Sequence, residues 1–85
     1  MGKYRIEIKR SAARELERIP LKDRDRIIER IRNLSTDPRP VGARMLSGEE
    51  KYRIRQGNYR ILYQVCDGMI TVVVVRIAHR KDVYR

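Results

Sequence analysis

The stretch from Tyr52 to Arg60 reads Tyr-Arg-Ile-Arg-Gln-Gly-Asn-Tyr-Arg, and its arginines are the side chains of this sequence best placed to do chemistry. Two alternating segments flank Gly57-Asn58, a pair suited to a two-residue hairpin turn. This spacing predicts that Gln56 faces Tyr59, Arg55 faces Arg60 and Ile54 faces Ile61. Side chains alternate across a strand, so Arg53 joins Arg55 and Arg60 on one side while Tyr52, Ile54, Ile61 and Tyr63 share the other. Like charges set directly opposite are destabilising, on the scale of the roughly 0.2–1 kcal/mol that favourable cross-strand pairs contribute. A sequence that keeps two arginines in that relation has an anion to place between them, and guanidinium forks match phosphate.

The same face has an apolar floor. Asp67-Gly68 reads as a type I′ turn into a strand from Met69 to His79, which would set Tyr63 against Val72, Leu62 against Val73, Ile61 against Val74 and Arg60 against Val75. Leu62, Val73 and Val75 then lie beside the arginines, and in a regular strand Ile77 and His79 extend the same side. The chain closes Arg80-Lys81-Asp82-Val83-Tyr84-Arg85, which adds positive charge and a tyrosine just past the strand end. Such a basic patch can hold a phosphodiester and stack a base on Tyr84. His79 is the one side chain here with an ordinary pKa close to neutrality, which makes it a candidate acid or base. The plainer reading of His79, Arg80 and Lys81 is a strand end with solubilising charge.

These residues need elements to hold them. Tyr4, Ile6 and Ile8 alternate with charged residues and predict an opening strand. Ser11 offers a helix N-cap, Ala12, Ala13, Leu16 and Ile19 share a helical face, and Pro20 ends the segment after about two turns. Leu21, Ile27, Ile28, Ile31 and Leu34 predict a longer second helix, closed by Thr36-Asp37-Pro38-Arg39-Pro40. Lys22, Arg26 and Arg30, interleaved with Asp23, Asp25 and Glu29, read as a solvated helix surface. Arg44-Met45-Leu46 offers a short additional pairing segment. The expected fold class is α+β in the order β-α-α-β-β-β, a mostly antiparallel four-stranded sheet with a two-helix hairpin packed on one face.

Eighty-five residues make a single domain, 1–85, near the lower size at which an apolar core suffices without disulfides or metal. One cysteine, Cys66, and one histidine provide neither an internal disulfide nor an ordinary zinc set, so no cofactor or metal is expected and a reducing cytoplasm fits best. No secretory leader or membrane span is legible. The net charge is +10, with 13 basic and 9 acidic residues in 1–50 against 8 and 2 in 51–85. A field of that sign favours nucleic acid or an acidic protein, and a membrane-surface role lacks the amphipathic helix with exposed aromatics that it would need.

The run from Lys51 to Val65, together with the valine strand and Ala78-His79-Arg80-Lys81-Asp82-Val83-Tyr84, resembles the RelE branch of the RelE/ParE toxin superfamily of type II toxin-antitoxin systems. The element order extends the resemblance to nearly the whole chain. It implies a ribosome-dependent, metal-independent endoribonuclease that cleaves messenger RNA and is silenced by a cognate acidic antitoxin. Carried over by position, the family's basic hairpin residues fall on Arg53 and Arg55, the arginine after the turn on Arg60, the arginine ending the last strand on Arg80 and the terminal tyrosine on Tyr84. Lys51 and Lys81 join Arg53 and Arg55 as RNA-binding residues. The best-studied members have lysine where this chain has Arg53 and Arg55, and an arginine, protonated to pH above about 12, clamps phosphate but is a poor general base.

The implied reaction still works without a lysine. The RNA 2′-hydroxyl attacks the adjacent phosphorus in line and expels the 5′-oxygen, and Arg60 and Arg80, supported by Arg55, stabilise the added negative charge. His79 and Tyr84 are the candidates for moving protons, with Tyr84 equally suited to stacking a base. Two other readings share the fold: a ParE-like inhibitor that binds DNA gyrase without phosphodiester chemistry, and an inactive RNA-binding module.

Overall fold

The computed structural model describes residues 3–46 and 51–79. The chain forms β1 (Arg5–Ile8), α1 (Arg10–Glu17), α2 (Leu21–Asn33), β2 (Arg44–Leu46), β3 (Lys51–Gln56), β4 (Tyr59–Cys66), a short 3-10 turn (Asp67–Met69) and β5 (Thr71–His79). The strands make one sheet in the order β1-β5-β4-β3-β2, with β1 parallel to β5 and the other neighbours antiparallel. The α+β class and helix hairpin are as the sequence predicts, but the described sheet has five strands rather than four. The added strand is β2, which pairs Arg44 with Arg53, Met45 with Tyr52 and Leu46 with Lys51.

Both helices lie on one face because each has a single apolar stripe. Ala12, Leu16 and Ile19 from the first helical segment and Ile27, Ile31 and Leu34 from the second are buried against Tyr52, Ile54, Ile61, Tyr63, Val65, Val72, Val74 and Ile77. Each large aliphatic chain taken out of water contributes about 1.5–3 kcal/mol, and this stripe is what keeps so short a hairpin helical. Pro20 separates the helices as expected, and its carbonyl accepts the Arg24 amide at 2.9 Å. The start of α1 differs from expectation. Lys9, not Ser11, is the N-cap, and no side chain caps the helix. The Lys9 amide is bonded to the Val74 carbonyl of β5, so the end of the parallel β1–β5 ladder sets where the helix begins.

The β3–β4 hairpin has the predicted register, with Tyr52 opposite Tyr63, Ile54 opposite Ile61 and Arg55 opposite Arg60. Gly57 adopts φ +61, a conformation the turn demands and glycine supplies without strain. The β4–β5 connection corrects the sequence reading. Asp67-Gly68 does not form a two-residue turn; Cys66 pairs with Thr71, and Tyr63 meets Val74 rather than Val72. The cause is tertiary. The Asp67 carboxylate takes hydrogen bonds from Arg39 at 2.7 Å and from the Tyr4 hydroxyl at 2.7 Å, while its carbonyl accepts the Ile70 amide at 3.1 Å. With Ile70 in the left-handed region at φ 47, its carbonyl receives the Arg5 amide that starts the β1–β5 pairing. Farther along, Val74 pairs with Tyr63 but Arg76 pairs with Leu62, so Val75 is the extra residue of a β-bulge.

Candidate functional site

The face opposite the helices carries the arginines. Because β2, β3 and β4 are in fixed register, two cross-strand rows form: Arg44, Arg53 and Leu62 in one, and Arg55, Arg60 and Ala78 in the next. Arg55 is exposed, Arg53 half-buried and Arg60 buried at 4% exposure. A buried guanidinium is costly to keep in a sheet unless it is paired and hydrogen-bonded, and the residue across from Arg60 in β5 is the small Ala78. Ion pairs between described residues join Arg5 with Glu7, Arg39 with Asp67 and Arg76 with Glu15, and none of these involves Arg44, Arg53 or Arg55. Leu62, Val73 and Val75 are half-buried beside them, which gives the face its apolar floor.

His79 is not part of this face. The Val75 bulge reverses the alternation of β5, so Ile77 enters the core opposite Ile61 and His79 pairs with Tyr59 on the helix-covered side. There its ring meets that of Tyr59 edge-on, with centroids 5.5 Å apart and planes at 82°. Both rings line a cavity of about 460 Å³ together with Glu15, Arg18, Ile19, Arg76, Ile77 and Ala78. The expectation that Ile77 and His79 extend the arginine face fails for a simple reason: one additional residue in a strand exchanges its two sides. Arg80, Lys81 and Tyr84 lie outside the described residues. Lys51, Arg53, Arg55 and Arg60 are thus the sequence-nominated residues with a described position on the open face.

A family model for the ParE toxin of type II toxin-antitoxin systems, parDE, matches residues 6–84. Toxin RelG of Mycobacterium tuberculosis is 35% identical over 86 residues, covering 96% of this chain and 97% of RelG. Toxin RelE of the same organism is 32% identical, covering 96% of this chain and 87% of that protein. The chain belongs to the RelE/ParE superfamily of type II toxins. Its fold superimposes on the toxin-antitoxin complex RelBE2 of Mycobacterium tuberculosis with a TM-score of 0.81 at 30% identity, covering 96% of this chain and 97% of that one. The archaeal RelE-RelB complex of Pyrococcus horikoshii gives a TM-score of 0.81 at 23% identity, covering 94% and 98%, and shares the fold. The RelE and RelG names of these relatives do not favour the gyrase-directed alternative.

Elsewhere in the toxin, a polar cluster holds the far end of the sheet in place. Arg39 donates to Asp67 at 2.7 Å and to the Tyr52 hydroxyl at 2.8 Å, and the Tyr63 hydroxyl donates to the Pro38 carbonyl at 2.8 Å. Arg39 and the Tyr4 hydroxyl hold the Asp67 carboxyl below its usual range, whereas burial pushes the Tyr63 hydroxyl up to about 12. This cluster fixes the loop before β2 and hence the register that presents Arg44. Arg44 is the open-face cation that sequence reasoning missed. Its pairing segment was legible, but nothing local specifies that Arg44 stands opposite Arg53 rather than opposite a neighbour on the other face.

Proposed function

We propose that this toxin is an endoribonuclease that cleaves messenger RNA on the ribosome without a metal ion. The observation that carries the reading is the hairpin register, which sets Arg55 directly opposite Arg60 on the face free of helices, with Arg53 beside them. Relatives named RelE and RelG support it. In the proposed reaction the 2′-hydroxyl attacks the neighbouring phosphorus, the 5′-oxygen leaves, and the products end in a 2′,3′-cyclic phosphate and a 5′-hydroxyl. Arg60 and Arg80 stabilise the phosphorane-like state, Arg55 assists, and Arg53, Lys51 and Lys81 orient the strand. Preorganised donors of this kind are each worth about 10²–10³-fold in rate. Tyr84 stacks a base or transfers a proton. With His79 on the other side of the sheet, its nomination as the acid or base is withdrawn.

The solved relatives include toxin-antitoxin complexes, and we extend to this chain an acidic antitoxin that neutralises it in the cytoplasm. The test is to add the protein, stripped of metal with EDTA and then freed of chelator, to translating ribosomes programmed with a defined transcript. Primer extension should find new 5′ ends, and their chemistry should be hydroxyl. Intact transcripts together with inhibited supercoiling by purified gyrase would replace this reading with the gyrase-directed one.

A further inference from the structure

The open face is asymmetric. Lys51, Arg53 and Arg55 occupy alternate positions of β3, so all three point to this face at steps of about 6.7 Å. That spacing is comparable to the phosphate repeat of an extended nucleic-acid strand. On one side of the column, β2 adds Arg44 directly across from Arg53. On the other side, the cross-strand neighbours are Arg60 of β4 opposite Arg55, Leu62 and Gln64 of β4 opposite Arg53 and Lys51, then Val73 and the bulged Val75 of β5. Arg76, though paired with Leu62, turns over the sheet edge, where its Nε lies 3.6 Å from Glu15. Apart from Arg60 at the turn end of β4, the described cations of this face therefore gather along β3 and β2, and half-buried aliphatic surface along β4 and β5.

We infer that the face binds RNA as a single strand, with the sugar-phosphate backbone along β3, the bases turned toward the Leu62–Val73–Val75 floor, and Arg44 as an additional phosphate ligand. The inference rests on the proposed RNA reading for its ligand class, and it adds the strand's course and a residue that the reading does not use. Three further features fit it. Arg44 is exposed, and among the described residues it has no carboxylate within ion-pair distance. Bases of a duplex are stacked inside the helix and cannot reach an apolar floor, whereas those of a single strand can. The edge position of β2 leaves the outer flank of Arg44 open among the described strands.

The test uses a non-cleavable oligonucleotide, a 2′-O-methyl 8-mer, bound to the intact toxin without ribosomes at a series of salt concentrations. Each phosphate contact to a single strand contributes about 0.7 to the slope of log K against log salt. Arg44→Ala should lower the slope by about that amount and weaken binding severalfold at low salt, and Arg44→Lys should restore the slope. Methyl NMR signals of Leu62, Val73 and Val75 should shift with the 8-mer and stay in place with inorganic polyphosphate, which has the charge but no bases. A duplex of the same sequence should bind more weakly. An unchanged slope in Arg44→Ala, equal or tighter duplex binding, or methyl shifts that polyphosphate reproduces would each overturn the inference. Those outcomes leave ribosomal cleavage untouched, and intact transcripts in the cleavage test leave the 8-mer result standing, so the two failures are told apart.

Discussion

The opposed pair Arg55–Arg60 predicts a trade between stability and activity that one substitution can expose. Arg55→Gln keeps a polar side chain at an exposed position while removing one of two like charges set directly across the sheet. Taking the guanidinium groups about 7 Å apart, their repulsion is about 0.6 kcal/mol in a water-like dielectric and about 2.4 kcal/mol at an effective dielectric of about 20. Arg55 is exposed and Arg60 buried, which places the pair between these limits, and measured cross-strand charge effects of about 0.2–1 kcal/mol favour the lower end. We expect Arg55→Gln to stabilise the fold by about 0.5–1 kcal/mol at low salt. With a urea slope of about 1 kcal/mol per molar for a domain this small, the unfolding midpoint rises by about 0.5–1 M. At 1 M salt the screening length shrinks to about 3 Å and most of the gain should vanish. Cleavage by the same variant should fall at least tenfold. A variant less stable than the wild type, or one whose gain ignores salt, would show that the two arginines do not repel and would remove the main physical argument for an anion at this face.

Three other predictions test particular contacts. Ile70 and Ile8 are similarly exposed, at 41% and 39%, but Ile70 sits at φ 47, where a side chain costs about 1–2 kcal/mol. Ile70→Gly should therefore destabilise by at least about 1 kcal/mol less than Ile8→Gly in urea titrations, and equal losses would mean that the turn holds no strain. Burial raises the Tyr63 hydroxyl from its ordinary 10 to about 12, so the stability tied to that proton is complete below pH 10 and is lost as pH rises toward 12. Tyr63→Phe should flatten the decline in stability between pH 10 and 12, and an unaltered slope would refute the assignment. His79→Gln should leave ribosomal cleavage within about threefold and its pH profile unchanged, since a general acid or base is worth about 10²–10⁴-fold and this ring lies on the helix side. A loss beyond tenfold would return it to the reaction.

What the sequence reveals and what it hides follow from the range of the interactions. The β3–β4 register was legible because Gly57-Asn58 sets it locally and the alternation of Ile54, Ile61 and Tyr63 admits one buried face. The helix hairpin was legible because its apolar period and Pro20 agree. The β4–β5 connection was not. Asp67-Gly68 has strong local turn propensity, but the Asp67 carboxylate is held by Arg39, 28 residues away, and by Tyr4, 63 residues away, and those bonds outweigh the propensity. No window of sequence contains all three residues. The position of His79 was lost to a separate feature, the Val75 bulge, because a face assigned by counting along a strand is only as good as the assumption that no residue is extra.

The bulge also has a consequence for the chemistry of the face. In the regular hairpin that the sequence suggests, Arg60 would stand opposite Val75, a β-branched side chain that fills the space above its neighbour. With the longer turn and the extra residue, Arg60 stands opposite Ala78, and Val75 shares with Arg76 the place across from Leu62. The methyl group of Ala78 leaves room beside a guanidinium that is otherwise enclosed, while Val75 is kept one row away, where it widens the apolar floor. The edge left by β1, which ends at Ile8 opposite Val74, is closed by Glu15, whose carboxylate accepts the Ile77 amide at 2.8 Å and draws Arg76 off the face. Thus, among the described residues, an anion approaching Arg60 meets its neighbouring cation across β3, at Arg55.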